Sequence, residues 1–275
     1  MSNNPWNHTR SANVADDIDF EIKGQELQFL EIELDPGESA VAEAGAMVWK
    51  DASVQMSTVF GDGTGGEGGF MGKLLGAGKR LVTGESLFTT VYTHQGTGKA
   101  RVAFSAPVPG AILPIKLSDV GGALICQKDS FLAAARGVQI GIHFQRKILT
   151  GLFGGEGFIM QHLSGDGWVF VQMGGTIVER ELRAGEELHV DTGCIAAMTA
   201  NVEFDIQTVG GVKSMLFGGE GLFFARLRGP GKVWIQSLPF ARLAGRMLAA
   251  SGAMGGQNRG EGSVLDQLGN LLDGN

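Results

Sequence analysis

Three glutamates raise the sharpest chemical question in this chain. Glu85, Glu156 and Glu220 each sit beside glycine, in Gly84-Glu85-Ser86-Leu87-Phe88, Gly154-Gly155-Glu156-Gly157-Phe158 and Gly218-Gly219-Glu220-Gly221-Leu222. Gathered on one axis, three carboxylates would repel, raise one another's pKa values, or hold a cation. Held apart, each closes its own tight turn, because the flanking glycines mark sharply bent backbone. The turn reading is the stronger one. A catalytic centre needs unlike groups that converge, whereas a feature present three times serves the fold.

The other reactive residues form no set. The five histidines, His8, His94, His143, His162 and His189, include no H-x-H pair. His189 and Asp191 share one strand face and would make half of a cupin-type metal site. Tight transition-metal sites use three or four ligands, so a solvated face is expected instead. Cys126 and Cys194 lie far apart and outside any C-x-x-C pair. They read as buried thiols in a reducing compartment, and Lys128 is the one cation that stands out near either. Gly61-x-Gly63-x-x-Gly66 fits a dinucleotide fingerprint but has no βαβ unit around it. Gly76-Ala77-Gly78-Lys79-Arg80 fails as a P-loop, with Lys73 where glycine is required and Arg80 where Ser or Thr is required. No G-x-S-x-G string marks a nucleophile elbow. The expectation is a chain without catalytic residues, bound metal or cofactor.

A second candidate is apolar. Phe70, Met71, Leu74 and Leu75, then Leu152 and Phe153, then Leu216 and Phe217 crowd against glycines. Lys73, Arg146, Lys147 and Lys213 lie beside them. Packed inside, each large side chain contributes about 1.5–3 kcal/mol, and burial is the default for such residues. Exposed together, they would form a patch for a protein partner or a membrane, with the cations drawn to anionic lipid.

The elements that must position these groups repeat. Val54-Gln55-Met56, Val138-Gln139-Ile140 and Val202-Glu203-Phe204 follow one another at 84 and 64 residues. After each Gly-Glu string comes a glycine turn and an apolar strand: Val102-Ala103-Phe104, Trp168-Val169-Phe170-Val171 and Val233-Trp234-Ile235. Asp35-Pro36-Gly37-Glu38 predicts a type II turn, and a hairpin is expected from Ala40 to Val59. Val138, Ile140, Ile142 and Phe144 are expected to face inward, as are Val202, Phe204 and Ile206. Short strands with frequent glycine turns predict an all-β sandwich or jelly-roll barrel. Three units, at 18–115, 116–180 and 181–240, would pack around a pseudo-threefold axis. Residues 1–17 read as a flexible lead and 61–82 as a glycine-rich insertion. The tail, 241–275, reads as flexible with short helices, one from Leu243 to Ala250 and one near Val264 with Ser263 as N-cap.

Composition bounds the rest. A chain of 275 residues with 43% hydrophobic and 19% charged residues can bury a substantial core. The 45 glycines lack a three-residue period, which excludes collagen. A net charge of −7 argues against a DNA partner. The polar N-terminus has no apolar signal core, and no run approaches the ~18 apolar residues of a membrane span. A cytoplasmic protein is expected.

Leu34-Asp35-Pro36-Gly37-Glu38, Ala42-Glu43-Ala44-Gly45-Ala46-Met47, Thr83-Gly84-Glu85-Ser86-Leu87-Phe88 and the two Gly-Gly-Glu-Gly strings together resemble the mitochondrial-biogenesis "Aim-twenty-four" family over roughly residues 18 to 245. The resemblance implies three repeats, each similar to the subunit of the tryptophan RNA-binding attenuation protein and of double-stranded β-helix type. It carries over no catalytic residues. Its mitochondrial members are associated with inner-membrane organisation, and its bacterial members have no agreed activity. The function expected is a non-enzymatic β scaffold working through protein–protein or peripheral membrane contacts, at the inner face of the membrane where lipid is the partner, with homo-oligomers left open. The alternatives are a small-ligand or RNA-binding module, by fold analogy, and a cupin-like metal enzyme.

Overall fold

The computed structural model describes residues 14–60, 88–146, 158–208 and 223–250. Among these residues the chain forms antiparallel sheets and one short α-helix. The first strands are β1 (Asp19–Lys23), β2 (Phe29–Leu34), β3 (Ser39–Glu43), β4 (Met47–Lys50), β5 (Val54–Phe60), β6 (Phe88–His94) and β7 (Ala100–Ser105). Next come β8 (Gly110–Lys116), β9 (Ala123–Gln127), β10 (Phe131–Ala135), β11 (Gln139–Arg146), β12 (Phe158–Ser164) and β13 (Trp168–Gly174). The last are β14 (Ile177–Leu182), β15 (Glu187–Asp191), β16 (Ile195–Thr199), β17 (Glu203–Thr208), β18 (Phe223–Arg228) and β19 (Gly231–Gln236), followed by helix α1 (Phe240–Ala250).

The strands make four sheets, ordered β1-β2-β7-β4, β5-β6-β3-β10-β13-β8, β11-β12-β9-β16-β19-β14 and β15-β18-β17. The same hydrogen-bonded pairs recur along the chain. β5–β6, β11–β12 and β17–β18 are successive-strand pairs. β3–β6, β9–β12 and β15–β18 extend them. β2–β7, β8–β13 and β14–β19 recur likewise, as do β4–β7, β10–β13 and β16–β19. Even the irregularities match: the register shifts between Met47 and Trp49, between Phe131 and Ala133, and between Ile195 and Ala197. One extra residue on one strand bends it and sharpens its twist, so the three strands bend at corresponding places.

Two further pairs join consecutive groups, β3–β10 and β9–β16. The corresponding third pair, β15–β4, is absent, and each of these strands ends its own sheet. The expected pseudo-threefold packing is therefore not closed by hydrogen bonds among the described residues. The cores cross the joined groups. Leu30, Val102 and Phe104 pack with Leu132 and Phe170, while Ile125, Phe158 and Met160 pack with Val190, Ile206 and Leu227.

Four local expectations change. Ala40 to Val59 is not a hairpin: after Glu43 the chain crosses to a different sheet, with Gly45 at φ +89°, and β4 pairs with β7 instead. Ile142 is 38% exposed on β11, the strand that ends its sheet, and a further register shift follows it before Phe144. The end of the lead is tied down: the Ala15 amide donates to Asp166 Oδ1 at 2.9 Å, and Asp16 Oδ2 accepts from the Ser39 amide at 2.8 Å. Helix α1 starts at Phe240, three residues early, directly after Pro239, which the first helical turn accommodates. The Asp35–Glu38 turn forms as read, with the Glu38 amide on Asp35 O at 3.0 Å and Gly37 at φ +91°.

Candidate functional site

Three connections at corresponding places, β3 to β4, β9 to β10 and β15 to β16, each carry the chain from one sheet to another. The first is open on one side. A cavity of about 350 Å³ lies there, lined by Glu43, Met47, Asp129, Leu132, Gln172 and Phe240 among others. These residues come from the first two connections and the strand ends beside them, from β13 and from the start of α1. Apolar walls with a few polar groups are what a small-molecule site offers.

Glu43 is the distinctive group. Burial pushes its carboxyl up to about 7, the Asp129 carboxylate adds to the shift, and Lys128 opposes it. Near neutral pH it therefore exists both as a hydrogen-bond donor and as an anion. Gln172 is buried, and its Nε2 donates to the Asp129 carbonyl at 2.9 Å. Its Oε1 has no hydrogen-bond donor among the described residues, nor does Ser130 Oγ. A partly protonated Glu43 and the uncommitted Gln172 Oε1, lining one cavity, suit a polar ligand. Among the described residues no three His, Cys, Asp or Glu side chains gather as a metal site.

Next to this cavity, a buried glutamine ties two groups of strands. Gln236 Oε1 accepts from the Gly174 amide at 3.0 Å, and its Nε2 donates to the Gly193 carbonyl at 3.2 Å and to Gln127 Oε1 at 3.4 Å. Gly174 is required by close approach: a Cβ there would lie 1.9 Å from the Leu238 carbonyl oxygen. Replacing Gln236 by Leu keeps the volume and leaves a buried amide unpaired. The expected loss is about 1–3 kcal/mol, read from urea unfolding. A Gln236→Leu variant as stable as wild type would show that these bonds hold nothing together.

Phe70, Met71, Leu74, Leu75, Leu152, Phe153, Leu216, Phe217, Glu85, Glu156 and Glu220 lie outside the described residues, as does His8. They fall between β5 and β6, between β11 and β12, and between β17 and β18, beyond the last pairs Phe60↔Phe88, Arg146↔Phe158 and Thr208↔Phe223. His94 is a turn residue: its Nε2 lies 2.9 Å from the Gly98 carbonyl, and its Nδ1 accepts from the Gly96 amide. His143 and His162 stack at 6.2 Å across β11 and β12. His189 and Asp191 are not joined as half a site. His189 contacts Glu187 at 2.9 Å, whereas Asp191 accepts from the Gly193 amide at 2.8 Å and pairs with Arg242 at 3.1 Å. Cys126 is buried, and burial pushes its thiol up, away from thiolate chemistry; Cys194 is only partly buried. Glu43 escaped the sequence reading because nothing local marks a glutamate whose burial comes from another connection. Gln172 and Gln236 did carry a signal, being identical polar residues 64 apart that each follow an apolar run.

Fold and site together define a nearly all-β protein of several antiparallel sheets and one short helix, with a mostly apolar cavity that carries a few polar groups. The chain belongs to the mitochondrial biogenesis AIM24 family, whose model matches residues 20–238. It is 30% identical over 228 residues to an uncharacterised protein of Streptococcus pyogenes serotype M6, across 82% of this chain and 87% of that one. A crystal structure of a Streptococcus pyogenes protein matches with a TM-score of 0.68 at 26% identity, over 85% of this chain and 99% of that one. Among the described residues, no helix is long and apolar enough to cross a membrane.

Proposed function

We propose that the chain is a non-enzymatic β scaffold that works through protein–protein or peripheral membrane contacts. It consists, on this reading, of three copies of a double-stranded β-helix unit similar to the subunit of the tryptophan RNA-binding attenuation protein. The observation that supports it is the threefold recurrence of one set of strand pairs, bulges included. Grouped by pairing, the units run 19–105, 110–174 and 177–236, so β8 and β14 open the second and third units. A chain that repeats its architecture repeats its surfaces as well, which suits contact with an extended partner.

Each unit has its long connection at the same place, and these connections carry the apolar residues flanked by cations. The membrane version is tested by flotation with liposomes, with and without anionic lipid. Wild-type protein is expected to float with anionic vesicles and to lose binding as salt rises. The variant Leu152→Ser, Phe153→Ser, Leu216→Ser, Phe217→Ser is expected to stay at the bottom with an unchanged melting curve. Unfolding of that variant would place these residues in the core. Wild type that never floats would remove the bilayer as a direct partner.

A further inference from the structure

The two short sheets between them hold the strands that correspond to one more six-stranded sheet. Both six-stranded sheets combine three strands of one group with three of the next, through β3–β10 in one and β9–β16 in the other. The sheet β15-β18-β17 supplies the first half of that arrangement, ending at β15. The sheet β1-β2-β7-β4 supplies the second half, ending at β4, with β1 added at the far side. Resting on the reading of three like units, we propose that β4 of one molecule pairs with β15 of a second copy, joining chains head to tail.

The internal pairs dictate the register. Ala133↔Ala42 and Ala134↔Val41 recur as Ala197↔Cys126 and Met198↔Ile125. The same offsets place Trp49 opposite Val190 and Lys50 opposite His189. On one face, Trp49 would be covered; it is 36% exposed in the single chain, and its neighbour Val48 is 54% exposed. On the other face, Lys50 would lie between the diagonal carboxylates Glu187 and Asp191, which share the His189 side of β15. An edge strand can be blunted by a bulge. Here the bulge is no obstacle, because β10 and β16 carry it at the corresponding place and still pair outward. Lys50 and His189 replace the apolar Ala134, Val41, Met198 and Ile125 of the internal seams. The joint between chains is thus the polar, reversible version of a joint that is permanent within the chain. A head-to-tail contact of this kind closes into a ring or runs on as a filament.

The test mixes two variants of the full chain under mild oxidation, Lys50→Cys and His189→Cys, each made with Cys126→Ala and Cys194→Ala so that it carries a single thiol. A disulfide-linked dimer is expected in the mixture and in neither protein alone. Sedimentation of wild type should show concentration-dependent association. Lys50→Glu should weaken it about tenfold, by setting a carboxylate against Glu187 and Asp191. Lys50→Glu with Glu187→Lys should restore it. A wild type that stays monomeric, a mixture that does not cross-link, or a Lys50→Cys, His189→Cys double variant whose disulfide closes within one chain would each overturn the proposal. Liposome flotation does not depend on this edge. Loss of self-association with flotation retained would remove only the second copy as partner, leaving the scaffold reading in place.

Discussion

Phe170→Ala is expected to lower the unfolding free energy by about 3–5 kcal/mol, the range for emptying a large aromatic site in a packed core. Phe170 is fully buried on β13 and packs in one cluster with Leu30, Ile32 and Phe104 of the preceding strands. Phe20 of β1 meets it edge-on, with centroids 4.8 Å apart and planes at 76°, and also meets Trp168 at 5.0 Å. The side chain thus fills space between the sheet of β1, β2 and β7 and the sheet that contains β13. Sheets paired on both sides relax little into a void, which favours the upper part of the range. Phe170→Leu keeps most of the volume and should cost much less. Urea unfolding of the two variants decides it. A Phe170→Ala loss below about 1 kcal/mol would mean that the site collapses freely and that the two groups are not coupled through this ring.

What the sequence made legible was the periodic part. Val54, Val138 and Val202 are buried at corresponding places, at the start of β5 and just before β11 and β17, as their spacing implied. The strands after the glycine turns, β7, β13 and β19, lie where the apolar runs placed them. Alternation failed at Ile142, which lies on β11 at the end of its sheet, because alternation does not say which strands stand at an edge. The hairpin from Ala40 to Val59 failed for a deeper reason. Adjacent strands in sequence are the usual partners, but here the glycine turn at Gly45 carries the chain to another sheet. Which sheet receives β4 depends on β7, more than fifty residues later. The cavity was illegible on the same ground: Glu43, Asp129, Gln172 and Phe240 have no common motif and meet only through pairing between groups. Sequence periodicity reports which face a residue takes. It does not report which distant strand lies against that face.

Glu43 leads to the second large effect, a dependence of stability on pH that one substitution removes. Its carboxyl ordinarily titrates at 4.5 and in the folded chain is pushed up to about 7. Between those values the native protein holds a proton that the unfolded chain has released. Stability from this group is therefore complete below about 4.5, declines as pH rises, and is lost above about 7. The full span corresponds to about 3 kcal/mol, and partial solvent access reduces it to about 2 kcal/mol. Glu33 and Glu179, held low by lysine and arginine partners, act in the opposite sense, so the raw profile of wild type mixes the two. Glu43→Gln isolates the contribution of this carboxyl, because the variant shares every other group. The two proteins should be nearly equal at pH 4.5, and the variant should be the more stable by about 2 kcal/mol at pH 8. Asp129→Asn should shrink the gap, since its carboxylate adds to the shift. A gap that stays constant with pH would show that Glu43 titrates like an exposed carboxyl. A gap that opens as described makes the cavity a site that changes from hydrogen-bond donor to anion close to neutral pH. Any polar ligand it holds would then be released or retained according to its own charge.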